Sequence, residues 1–100
     1  MAELAVVGSL NMDLVVQTPR IPVAGETILG TRFEMLPGGK GANQAYAAAR
    51  LGARVRMAGK VGYDIFGDRL RANLAAVGVD VSQVRSAQDA PTGVATISVD

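Results

Sequence analysis

Asn11 and Asp13 near the start of the chain, and the turn Pro37-Gly38-Gly39-Lys40-Gly41-Ala42-Asn43, hold the residue types best suited to chemistry. In extended backbone, residues two apart point the same way, so the two side chains of the first pair can grip neighbouring hydroxyls together. The carboxylate only accepts hydrogen bonds, whereas the carboxamide both donates and accepts. In the turn, three glycines within four residues permit positive φ and remove the β-carbons that would hold a ligand away from the main chain. A helix predicted over Gly41 to Leu51 points its unpaired amides back at this turn, where they suit an oxygen-rich guest. Lys40 and Asn43 add a charged donor and a mixed donor and acceptor. Taken on these residues alone, Asn11 and Asp13 could equally form Asx turns at a strand end, and the glycines could serve only a tightly packed helix entry.

The same turn excludes two familiar phosphate loops. A Walker loop requires Ser or Thr directly after Gly-Lys, and Gly41 stands there; a dinucleotide fingerprint counted from Gly39 requires a third glycine where Gln44 stands. The chain has no Cys and no His, which removes disulfides, thiolate catalysis, Cys-based zinc sites and the commonest general base. A formal net charge of +1, spread evenly, offers neither a basic stripe for nucleic acid nor a polybasic membrane patch. No apolar run approaches the ~20 residues that span a bilayer, and no secretory leader pattern is visible. A soluble, cytoplasmic protein with no nucleic-acid or membrane partner is the expectation.

Regular elements must position these groups. Leu4 to Gly8 is a short apolar run that reads as a parallel strand buried on both faces, with Asn11 and Asp13 just beyond its carboxyl end, where open α/β sheets place their ligands. Residues 13–17 and 26–36 read as a two-stranded ribbon broken by Pro19, Pro22 and Gly25, with Leu29, Phe33 and Met35 on one face and Arg32 and Glu34 on the other. After the alanine-rich helix, closed by Gly52, comes a strand over Arg54 to Gly59 that completes a right-handed crossover; Arg54 and Arg56 fall at its exposed start. Asp64 caps a helix running to Val77 and ended by Gly78, with Phe66, Leu70, Leu74 and Val77 buried and Asp68, Arg69, Arg71 and Asn73 toward water. Val79 to Val84 reads as a short strand and Ser86 to Pro91 as a polar loop. Val94 to Val99 reads as a last strand with Ala95, Ile97 and Val99 on one face. The fold class is therefore α/β.

The longer pattern Gly38-Gly39-Lys40-Gly41-Ala42-Asn43-Gln44-Ala45, followed by Gly52 and Gly62, resembles the N-terminal signature of the ribokinase-like (PfkB) carbohydrate kinases. Gly8-Ser9-Leu10-Asn11-Met12-Asp13, Pro22-x-x-Gly25-Glu26-Thr27, Gly62-Tyr63-Asp64 and Thr92-Gly93-Val94-Ala95 are similar to that family in order and spacing. The resemblance implies a ribokinase-like Rossmann-type sandwich, a partial parallel sheet with flanking helices, plus a protruding β-sheet lid formed by residues at about 13–36 and 93–100. It implies that residues 1–100 are the N-terminal part of a longer kinase whose ATP-binding part lies elsewhere. Asn11, Asp13, Gly38, Gly39, Lys40, Asn43 and Ala95 would bind the sugar. The catalytic Asp belongs to a Gly-Ala-Gly-Asp string absent here, so no catalytic residue and no metal ligand is assigned to these residues. ATP, Mg2+ and a monovalent cation, K+, would bind mainly through the missing part, and the lid would join two subunits in a homodimer. Lys40 and Gln44 favour ribose, phosphorylated at its 5-hydroxyl, over the fructokinase-like pattern, which lacks the lysine. Other sugar or nucleoside kinases of the family, and a non-catalytic sugar-binding or dimerising module, are the alternatives.

Overall fold

The structure, a computed structural model, describes residues 3–100. Their elements run β1 (Glu3–Val7), β2 (Asn11–Gln17), β3 (Arg32–Gly38), α1 (Lys40–Arg50), β4 (Arg54–Gly62), α2 (Ile65–Ala75), β5 (Asp80–Ala87) and β6 (Gly93–Val99). Two three-stranded sheets result: a parallel sheet in the order β1-β4-β5, and a second in the order β3-β2-β6, in which β2 runs antiparallel to β3 and parallel to β6.

Helices α1 and α2 cover the parallel sheet. From β1 to β4 to β5 the chain advances in one direction, and right-handed crossovers then place both helices on one face. Burial follows the period of two: Val55, Met57 and Val61 of β4 point into the core with Ala42 and Ala45 of α1 and Leu70 and Leu74 of α2. Arg54, Arg56 and Lys60 point the other way and are exposed, with Arg54 paired to Glu3 and Arg56 to Asp80. The strand expected to be buried on both faces is not: Val7 is 83% exposed, because among the described residues only one face of this sheet carries helices.

Several element bounds also differ from expectation. The second ribbon strand begins at Arg32 rather than at residue 26 and continues to Gly38, since register pairs Gln17 with Arg32 and Asn11 with Gly38. Residues 19–31 form instead an irregular loop, in which Glu26 accepts two hydrogen bonds from the Arg20 guanidinium and one from the Val23 amide. The hydrogen bonds from Arg20, followed by that from Val23, accordingly hold the Glu26 carboxyl below its ordinary pKa. The strand expected over Val79 to Val84 extends to Ala87, because Ser86 and Ala87 pair with Val61 and Gly62. Arg71, expected in water, lies along β5 and donates to the Val84 carbonyl and the Ser86 hydroxyl.

Asp64 caps α2, as expected, through a 2.8 Å bond from the Gly67 amide. It also accepts from the Thr92 hydroxyl at 2.6 Å and the Thr92 amide at 2.8 Å. The Thr92 donors, followed by Gly67, hold its carboxyl below the ordinary range. A depressed folded pKa stabilises the fold at every pH above the unfolded value, and that stability is lost as pH falls through the folded value. The gap in denaturation midpoint between the parent and Asp64→Asn is therefore expected to be widest near neutrality and to close below about pH 4. Urea titrations at stepped pH check this; a gap that widens on acidification would contradict the assignment.

Candidate functional site

The site is assembled where the two sheets meet. Chain leaves β1 through Gly8, Ser9 and Leu10 and enters β2 at Asn11, so Asn11 and Asp13 stand one above the other on one face of a strand. The Asn11 carboxamide donates to the Asp13 carboxylate at 3.1 Å, which turns both polar ends the same way and leaves lone pairs on the carboxylate for a guest. On one side of β2, Gly38 lies opposite Asn11; on the other, Gly93 lies opposite Asn11 and Ala95 opposite Asp13. Directly opposed residues share a face, so Asn11, Asp13, Gly38 and Ala95 line one surface of the lid sheet.

Glycine is required at this surface by geometry. A β-carbon on Gly38 would stand 2.7 Å from one Asp13 carboxylate oxygen and 2.8 Å from the other. Gly39 has φ +98 and ψ 130, and a β-carbon there would meet the Ser9 carbonyl oxygen at 2.5 Å. The turn therefore lies directly against the β1–β2 connection, with Gly41 packed on Gly8.

Helix α1 starts at Lys40 with Gly39 as its cap and no side-chain capping bond. Its amides are shared between structure and site: the Ala42 amide is taken by the Ser9 carbonyl at 3.1 Å and the Asn43 amide by Gly39 at 2.9 Å. The Lys40 and Gly41 amides have no intrahelical carbonyl to donate to, which leaves fewer free donors than a bare helix start would offer. Lys40 and Asn43 are exposed on the first turn. Asn43 borders a shallow hollow with Pro37, Ala42, Tyr46 and Asn73. Neither side chain hydrogen-bonds to Asn11 or Asp13 among the described residues. The structure thus brings Asn11, Asp13, Gly38, Gly39 and Ala95 together, with Lys40 beginning the helix directly beyond Gly39.

Sequence reasoning missed two participants. Ser9 acts through its carbonyl, which no side-chain pattern discloses. Thr92 is 3% exposed and donates its hydroxyl to Asp64 while accepting from the Gly62 amide at 2.9 Å. Its place beside Gly93 in the quoted Thr92-Gly93-Val94-Ala95 string was the available signal.

A glycine turn at the carboxyl end of a parallel sheet, beneath a second sheet carrying an Asn/Asp pair, defines a ribokinase-like α/β sandwich with a protruding lid. The chain belongs to the pfkB family of carbohydrate kinases, whose model matches residues 1–100. It is 52% identical over 97 residues to a ribokinase from Bacillus subtilis, covering 97% of this chain and 33% of that protein. To a deoxyribokinase from Salmonella typhi it is 43% identical over 97 residues, covering 97% and 32%. Arabidopsis thaliana ribokinase, solved with ribose and ATP, superposes with a TM-score of 0.89 at 40% identity over 98% of this chain and 32% of that one. The chain spans about a third of the length of these relatives.

Proposed function

We propose that residues 1–100 are the sugar-binding and lid portion of an ATP-dependent kinase that phosphorylates the 5-hydroxyl of D-ribose. The observation that carries this reading is the shared surface of Asn11, Asp13, Gly38 and Ala95, with the Gly39 turn set against it. Its donors and acceptors suit the vicinal hydroxyls of a small sugar. The relative solved in complex with ribose and ATP has the same fold over these residues, which supports ribose as the guest and ATP as the phosphoryl donor. Asn11 and Asp13 would grip the sugar, while the free amides of the turn and Lys40 would fix its orientation. Held in that way, the 5-hydroxyl oxygen attacks the γ-phosphorus of ATP, the bond from that phosphorus to the β–γ bridging oxygen breaks, and ADP leaves. The hydroxyl proton passes to a base that we assign to the remainder of the protein. Such positioning supplies several kcal/mol of barrier lowering.

Among the described residues there is no group of three or more His, Cys, Asp or Glu side chains able to hold a metal. By likeness to the family, we assign Mg2+, K+ and the nucleotide to the remainder, where the divalent ion would neutralise charge on the transferring phosphoryl group. The bare face of the β1-β4-β5 sheet, with Val7 at the surface, is consistent with a remainder that covers it. Leu36, Ile97 and Val99 are exposed apolar side chains on the lid face that also carries Asp13, set among Gln17, Arg32 and Glu34, and such a mixed surface suits pairing with the lid of a second copy. No helix among the described residues is long and apolar enough to cross a membrane.

The likeness to a deoxyribokinase favours a second reading in which 2-deoxyribose is the substrate. The deciding experiment compares ribose, 2-deoxyribose and fructose as substrates of the full-length protein in a coupled ADP-release assay, with sedimentation velocity on the same sample. Ribose with the highest kcat/KM and a dimer are expected. A preference for 2-deoxyribose selects the second reading, and no sugar-dependent ADP release overturns both.

A further inference from the structure

Strand β6 carries Ala95 to the sugar-binding surface but, among the described residues, is bound laterally to β2 alone. Its tie to the α/β layer lies just before it, at Thr92. There the chain presses onto the end of β4: a β-carbon on Gly62 would come within 2.2 Å of the Thr92 nitrogen and 2.5 Å of an Asp64 carboxylate oxygen. Asp64 divides its two oxygens between neighbouring elements. Oδ1 accepts from the Gly67 amide, which caps α2, and from the Thr92 hydroxyl; Oδ2 accepts from the Thr92 amide. That hydroxyl in turn accepts from the Gly62 amide. Two of the three bonds therefore serve the entry to the lid and one serves the helix. A capping role alone explains neither the second oxygen nor the burial of Thr92 at 3% exposure.

We propose that Asp64 is a positioning residue for the sugar site, latching lid strand β6 to the start of α2 so that Ala95 is held opposite Asp13. The inference deepens the sugar-kinase reading and rests on it. Thr92 is the intermediate: the next residue, Gly93, pairs with Asn11, and Ala95 pairs with Asp13. Loosening Thr92 frees the end of β6 nearest the site, while leaving Asn11, Asp13 and the glycine turn in place.

Asparagine separates the two roles of Asp64, because it caps helices about as well as aspartate. Oriented to keep its oxygen on the Gly67 amide, it sets an amino group against the Thr92 amide, two donors facing each other. The test uses the full-length protein as parent, Asp64→Asn, Thr92→Val and Thr92→Ser. A lost bond to a charged acceptor corresponds to roughly a ten-fold effect or more. Asp64→Asn and Thr92→Val are expected to raise the ribose KM about ten-fold with the ATP KM changed less than about two-fold, and Thr92→Ser to restore the parent value. Amide exchange is expected to quicken more over residues 93–99 than over α2. A ribose KM equal to the parent's, a parallel rise in both KM values, or faster exchange in α2 to the same degree as in β6 would overturn the latch. Should Asp64→Asn not fold, the contrast between Thr92→Val and Thr92→Ser decides alone. Should the parent phosphorylate no sugar, the functional reading fails, while amide exchange still tells whether Asp64 holds β6.

Discussion

Asp13→Ala in the full-length protein is expected to raise the KM for ribose by about 100-fold or more, while the KM for ATP stays within about two-fold of the parent value. The carboxylate has lone pairs to spare after accepting from Asn11, and a hydrogen bond to a charged group contributes about 1.5–3 kcal/mol. Two such bonds to sugar hydroxyls give a factor of about 100 or more in binding. The substitution also leaves the Asn11 carboxamide without its partner, free to swing out of position. Because Asp13 is only partly buried, little fold stability goes with it. Steady-state kinetics with each substrate varied in turn provide the check; equal losses for ribose and ATP would place Asp13 outside the sugar site.

Gly39→Ala is expected to cost about 3 kcal/mol or more of stability. At φ +98 and ψ 130 an L-residue is strained by roughly 1–3 kcal/mol wherever it sits. The added methyl would also collide with the Ser9 carbonyl oxygen at 2.5 Å, its carbon at 2.9 Å and the Leu10 Cα at 3.0 Å, all backbone atoms that cannot swing aside. Gly52 supplies the control, since it shares φ +98 but has nothing within 4 Å of the β-carbon position. Gly52→Ala should cost only the conformational term, roughly 1–3 kcal/mol, without the added collision. Denaturant titration of the two variants decides the matter, and equal midpoints would mean that the close approach of turn and β1–β2 connection is not real.

Where one residue's chemistry decides the outcome, the sequence was readable. Gly39 and Gly52 announce positive φ by type and place, Asp64 announces a cap, and the spacing of Leu70 and Leu74 announces a buried helical face. Asn11 and Asp13 could be paired because the period of an extended chain is two. What escaped depended on partners distant in sequence. Nothing in residues 26–31 says that Gln17 will pair with Arg32, so the ribbon strand was begun too early. Ser86 and Ala87 are strand only because Val61 and Gly62 run beside them. Val6 and Val7 read as doubly buried, yet one face of their sheet lacks a covering layer among the described residues, and an apolar run carries no information about which face waits for its cover. Arg71 looks solvent-facing by helical spacing until β5 brings the Val84 carbonyl within 3.0 Å.

The parallel pairing of β2 with β6 joins Asn11 to Gly93 and closes a loop containing every other helix and strand except β1. Contacts so distant along the chain are reached late, after the local β4-α2-β5 unit can condense on its own hydrophobic stripe. A ribosome must extrude more than ninety residues before Ala95 can meet Asp13, and during that interval β2 carries an open edge. On the proposed function, competence to hold a sugar would thus be the last property this stretch of polypeptide acquires, and agents that trap unpaired strands should catch it before then.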